Sequence, residues 1–205
     1  MKNLIFVILI LSAFNLSYGQ QKKAIQNKHE GFFARGTLGF GSSSISETVQ
    51  STKIDISGFS GDMNIQVGYS VIENLQIFGA TGYNSITEPK YKINGIEATT
   101  TTSTEVSLFR IGAGATYYFM PHNIFLTFDV TSGQNEIKIN NVKSESDKGV
   151  VFNFGAGKEW WVSKDWGLGA MFYIYTGTIN DATVNGITPK IKNTGFGLAF
   201  TATYN

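Results

Sequence analysis

The chain has 205 residues, with 16 lysines and arginines against 15 aspartates and glutamates, a formal net charge of +1 and no cysteine. The missing cysteine excludes a disulfide framework, a lipid-bearing amino-terminal cysteine and a thiolate metal site. The cations are scattered, so no basic patch points to nucleic acid. Only 15% of residues are charged, beside 23 Gly, 16 Phe and 9 Tyr. A soluble domain carries about 25% charge; this mixture suits a wall with one face in lipid and the other polar.

The first element is a secretory leader. Lys2 supplies a positive start, residues 4–11 an apolar core, and Ser17 and Gly19 the small residues of a cleavage site after Gly19. The apolar run is shorter than the about 20 residues of a spanning helix. Residues 1–19 are therefore expected to be a signal peptide. Residues 20–30, with Lys22, Lys23 and Lys28, read as a polar periplasmic lead-in, and 31–205 as one barrel domain.

Eight segments of alternating apolar and small-polar residues follow. They are predicted as strands over 32–43, 59–71, 75–85, 104–119, 124–133, 149–162, 166–177 and 194–204. The second is the cleanest, setting Phe59, Met63, Ile65, Val67 and Tyr69 against Ser60, Asp62, Asn64, Gln66 and Gly68. The third is the least regular, because Ile77 and Phe78 are adjacent. The last sets Phe196, Leu198, Phe200, Ala202 and Tyr204 against Gly197, Ala199, Thr201 and Thr203. A period of two over such lengths is a strand signal, and about ten residues cross a bilayer at a tilt of about 45°.

The connections alternate as well. Short ones centre on Glu73, His122 and Lys164, and long polar ones cover 44–57, 85–103, 135–148 and 178–193. This is the asymmetry of an antiparallel barrel with tight periplasmic turns and long outer loops. Aromatic residues gather beside the short turns: Tyr69, Tyr117, Tyr118, Phe119, Trp160, Trp161 and Trp166, with Tyr204 on the last strand. They are expected to form an interfacial girdle. Glycines such as Gly39, Gly41, Gly112, Gly114, Gly155 and Gly157 fall on the polar face, where a narrow interior wants small residues. The expected fold is an all-β, eight-stranded, antiparallel up-and-down transmembrane β-barrel behind a cleavable signal peptide.

With these features, residues 31–205 resemble the small eight-stranded outer-membrane beta-barrel family, which includes OmpA-like transmembrane domains and OmpX-like and OmpW-like porin-family members. The final strand, ending in Tyr204 and followed by Asn205, is similar to the segment read by the barrel-assembly machinery in that class. The resemblance implies the outer membrane of a Gram-negative-type bacterium. It also implies lipid and lipopolysaccharide as neighbours, and loops open to an outside ligand of unknown identity. OmpW-like members are thought to pass small or apolar solutes.

Little in the sequence points to catalysis. His29 lies in the lead-in and His122 in a short turn, both away from the long loops where a hydrolase would need a histidine-activated nucleophile. The Gly-x-Gly repeats are not followed by a helix pattern, so they are not phosphate loops. No catalytic, cofactor or metal site is expected. The sharpest remaining feature is charge on the inward parity: Arg35, Asp62, Arg110, Asp129 and Glu159. Buried charges are costly unless paired, so they are expected to form ion pairs plugging the lumen, with a channel lining as the alternative. Arg35 and Glu159 sit at similar depth on opposite walls and could pair across the lumen; Asp129 lies nearer Gly114 than Arg110, so Arg110 must reach down to it or bridge elsewhere. The expected role is structural or surface-interacting, the alternatives being a narrow channel and, less favoured, a lipid hydrolase.

Overall fold

A computed structural model of the chain describes residues 28–49, 51–98, 104–140, 142–181 and 188–205. The expected signal peptide, nearly all of the lead-in and the threonine-rich run at 99–103 lie outside these residues. Among the described residues there are nine strands: β1 (Gly31–Val49), β2 (Thr52–Ile72), β3 (Leu75–Ile93), β4 (Ile96–Ala98), β5 (Thr104–Phe119), β6 (Ile124–Ile139), β7 (Val142–Trp161), β8 (Trp166–Asn180) and β9 (Lys190–Tyr204). Each long strand pairs antiparallel with two neighbours, and β1 pairs with both β2 and β9, so eight strands close into a ring. The short β4 folds back on β3 alone.

The alternation decides the faces. On β9, Phe196, Leu198 and Phe200 stand exposed on the outer wall, while Thr201 and Thr203 are buried in the lumen. Leu38, opposite Phe200, is 64% exposed. A row of large apolar side chains left open to the surroundings is unfavourable in water and is satisfied by lipid. β3 proves as regular as the rest: Gln76, Phe78, Asn84 and Ile86 all turn inward, and Phe78 meets Phe33 edge-on inside the lumen at 6.2 Å. The polar face holds glycine where walls approach. A β-carbon on Gly41 would lie 2.0 Å from the Phe196 carbonyl oxygen of β9.

The long connections differ from expectation. Most of 44–57, 85–98 and 135–148 is strand, as are 178–180 and 190–193: β1 runs to Val49 and β2 restarts at Thr52. The physical reason is an inversion of the pattern. Beyond Ser43, Ile45 points inward while its neighbours Ser44 and Ser46 lie outside it; on β9 Ile191 is buried between exposed Lys190 and Lys192. Ile56 and Ile179 behave the same way. There the outer wall meets water instead of lipid, so the apolar side turns inward without any break in the ladder.

Candidate functional site

The chemistry of this protein is concentrated in its lumen, which is filled in layers. At the short-turn end His29 is fully buried. Its Nε2 lies 2.7 Å from Asn123 Oδ1 and its Nδ1 2.8 Å from Asn205 Oδ1, and its ring stacks on Tyr118 at 3.4 Å. Asn123 is held in the turn with φ 52°, and its Nδ2 donates to the Glu159 carbonyl oxygen at 3.2 Å. Gln76 Nε2 donates to Asn205 Oδ1 at 2.9 Å. His29, just ahead of β1, is thus a stopper in the mouth of the barrel.

The next layer is a dry ion pair. Arg35 Nε lies 3.3 Å from Glu159 Oε1, and both side chains are wholly excluded from solvent. Arg35 also donates to Thr203 Oγ1 (3.0 Å), Gln66 Oε1 and Thr116 Oγ1 (both 3.2 Å), and to the Tyr118 hydroxyl. The Tyr118 hydroxyl donates to Glu159 Oε2 at 3.1 Å, and Thr203 donates to Glu159 Oε1 at 2.6 Å. The Phe125 ring covers the guanidinium at 4.7 Å. A buried pair is tolerable only when its remaining donors and lone pairs are met in this way.

A third layer joins Arg110 Nη2 to Asp62 Oδ2 at 2.6 Å, across from β5 to β2. Arg110 Nη1 donates to Asn153 Oδ1, and Asn153 Nδ2 donates to Asp129 Oδ1 at 2.5 Å. Arg110 and Asp129 are therefore linked through Asn153 and do not touch. A cavity of about 30 Å³ remains between these layers, near Thr37, Gln66 and Thr127. Above it, the Tyr175 hydroxyl donates to Ser43 Oγ at 2.8 Å, and Ser43 donates to Ser60 Oγ at 2.7 Å. The stack ends in an aliphatic plug that includes Ile45, Ile56, Ile86, Val106, Leu108 and Ile191.

The residues expected at the girdle divide in two. Tyr69, Tyr117, Phe119, Trp160, Trp166 and Tyr204 stand exposed on the outer wall at the short-turn end, with Trp166 and Tyr204 edge-to-face at 5.5 Å. Tyr118 and Trp161 do not belong with them. Both have the inward parity: Tyr118 is buried between His29 and the ion pair, and Trp161 lies 5.0 Å from the His29 ring. The sequence reading missed His29, Asn123 and Asn205, which carry no periodic signal, and Asn84, Asn153 and Tyr175. The inward parity of these last three was legible, but they were not assigned a role. His122 is exposed on its turn. Among the described residues no group of three histidine or acidic side chains is placed to hold a metal ion.

A closed ring of eight antiparallel strands, apolar outside and charged inside, defines a transmembrane barrel of the outer-membrane type. The family model for the outer membrane protein beta-barrel domain matches residues 6–204, and the chain belongs to that family. Its place is the outer membrane of a Gram-negative-type bacterium. Among solved structures it is similar to the outer membrane protein AlkL, determined in DMPC lipid bilayers, at 13% identity and a TM-score of 0.52. That match covers 91% of this chain and 94% of that one. It is also similar to OprG from Pseudomonas aeruginosa, at 11% identity and a TM-score of 0.48, over 87% and 98% of the two chains. Neisserial surface protein A matches at 16% identity and a TM-score of 0.46, over 82% and 96%. No curated protein sequence matches the chain.

Proposed function

We propose that this protein is a closed, non-catalytic barrel whose role is structural or surface-interacting, with its short turns in the periplasm and its long hairpins outside. The observation that carries this reading is the filled lumen: the His29 stopper, two hydrogen-bonded charge layers and an aliphatic plug follow one another along the axis. Eight strands leave an interior that side chains can fill, and here the charged groups of its two ion-pair layers are held in hydrogen-bonded networks. What the protein does to its surroundings then falls to the hairpins. Lipid and lipopolysaccharide contact the outer wall, the barrel-assembly machinery handles the chain during insertion, and an outside partner would meet the hairpin tips. The absence of catalysis rests on chemistry too. Both ring nitrogens of His29 are taken up by asparagine side chains, at the opposite end from the hairpins.

The test is conductance of the refolded barrel in planar bilayers. The expected trace stays at the baseline of the lipid alone. A large, steady conductance would overturn this reading in favour of the narrow-channel alternative.

A further inference from the structure

Above the aliphatic plug, at the long-hairpin end, the lumen opens into a small pocket. Its floor and walls are isoleucines: Ile45, Ile54, Ile56, Ile137 and Ile191. Its polar side is formed by Glu47 of β1, Asn135 of β6 and Asp181 after β8, with Ser144, Glu145 and Ser146 at the margin. Two features bear on what it can hold. Asn135 is only 2% exposed, yet neither atom of its side-chain amide has a hydrogen-bond partner. Glu47 Oε1 is likewise shut off from solvent without a partner. Buried polar atoms left unpaired are costly, and Glu47 Oε1 and Asn135 Oδ1 are both acceptors, so the pocket is prepared for a ligand that donates to them. Asn135 keeps the inward parity of Thr131 and Gly133, and the extra residue of the β6–β7 ladder lies on β7, where Ser146 and Asp147 stand opposite it; the Asn135 backbone N–H donates to Ser146 Oγ at 3.0 Å.

The chemistry of the lining selects the ligand. Carboxylate oxygens carry negative charge and, with the neutral amide carbonyl of Asn135, accept hydrogen bonds, which calls for a cationic donor. An ammonium presents three N–H donors. The isoleucines call for an aliphatic body. The cavity holds about 70 Å³, several times the ~10–15 Å³ that one water needs and far below the roughly 300–1,000 Å³ of a site for drug-sized ligands. The ligand is therefore a handful of non-hydrogen atoms. We infer that this pocket binds a short-chain primary alkylammonium, its nitrogen against Glu47 and Asn135 and its carbons against the isoleucines. Burial together with the Asp181 charge raises the Glu47 carboxyl above its ordinary range. An incoming ammonium relieves that crowding of negative charge.

Propylammonium is the probe, titrated into the refolded barrel in detergent micelles with ¹³C-labelled isoleucine δ-methyls. Saturable shifts are expected at Ile45, Ile54, Ile56, Ile137 and Ile191, with Ile65 and Ile174 of the lipid-facing wall unmoved. Propanol and propionate, of the same length without the cation, should leave the five methyls in place. Glu47→Gln and Asn135→Ala should each weaken binding at least tenfold, folding of both being checked by heat-modifiable gel mobility. If Asn135→Ala does not fold, Glu47→Gln alone decides. The inference is overturned if no methyl shift saturates, if propanol or propionate shifts the same methyls equally, or if the folded variants bind unchanged.

Discussion

Arg35 and Glu159 show what one buried charge costs and what a pair achieves. Both are wholly enclosed and bound to each other at 3.3 Å, within a net that includes Tyr118 and Thr203. Removing one partner leaves the other charge stranded. Glu159→Leu should therefore destabilise the refolded barrel by about 3–5 kcal/mol, read from urea unfolding in detergent. Replacing both together, Arg35→Met with Glu159→Leu, should recover most of that loss, because a well-packed apolar pair of similar volume is often neutral or better. A double variant as weak as the single one would mean that the pair has another partner of equal importance. His29 gives a pH dependence. Burial holds its imidazole below the ordinary 6.5, against the opposing pull of its bonds to Asn123 and Asn205; of the nearby charges, Glu159 favours protonation and Arg35 opposes it. The unfolded chain therefore takes up the proton at a higher pH than the folded one. The contribution of the stopper is complete above about pH 6.5 and is lost as pH falls from there through the lower folded value. With Trp160 and Trp166 changed to Phe, the remaining Trp161, 5.0 Å from the imidazole, should report this loosening in its fluorescence. His29→Gln should abolish the transition.

At the scale of the strand, height along the barrel matters as much as parity. Leu198 faces outward at mid-strand, paired with Phe40 and Phe172. Leu198→Arg should cost about 2–4 kcal/mol if it lies near the membrane midplane. Thr178 also faces outward, beside Lys192 and beyond the apolar belt. Thr178→Arg should change stability by no more than about 0.5 kcal/mol. Equal losses from the two would misplace the boundary of the belt. The same distinction explains what the sequence disclosed. The eight membrane-crossing segments were legible because their period of two and their apolar parity coincide. The segment 104–119 has the same limits in the sequence reading and in β5. Ile45, Ile179 and Ile191 kept the period but reversed the sense, so their stretches read as polar loops when they are strands whose outer face has left the lipid. Tyr118 and Trp161 were grouped with the girdle by their size and their neighbours, although their parity already placed them inside. The His29 stopper was beyond reach from sequence alone. Its partners Asn123 and Asn205 lie 94 and 176 residues away, and no local pattern links them.

For the whole molecule, closure is the governing property. With every long strand paired on both sides, there is no free edge from which the sheet can unravel. The refolded barrel should resist detergent until heated, so boiled and unboiled samples should migrate differently on a gel; identical migration would contradict a closed ring. The proposed orientation is tested on whole cells: a cysteine placed at Asn140 should react with a membrane-impermeant label and one at Lys164 should not, and the reverse pattern would invert the topology. The legibility of this scale was high, since alternation, turn lengths and strand number together define the ring before any contact is known.

The inverted ends of the strands have a mechanical consequence. From Ser43 to Val49, β1 continues six residues past the last serine of its lumen layer, all of them laddered to β2, a rise of about 20 Å at ~3.3 Å per residue. The β6–β7 hairpin keeps its pairing to Ile139 and Val142, next to its tip. Such hairpins are masts rather than tethers: what they carry is held at a fixed distance from the belt and loses little freedom when it is grasped. A short epitope spliced in after Asn140 should therefore be bound by its antibody in the micelle-embedded barrel about as tightly as when the same hairpin is presented free of detergent.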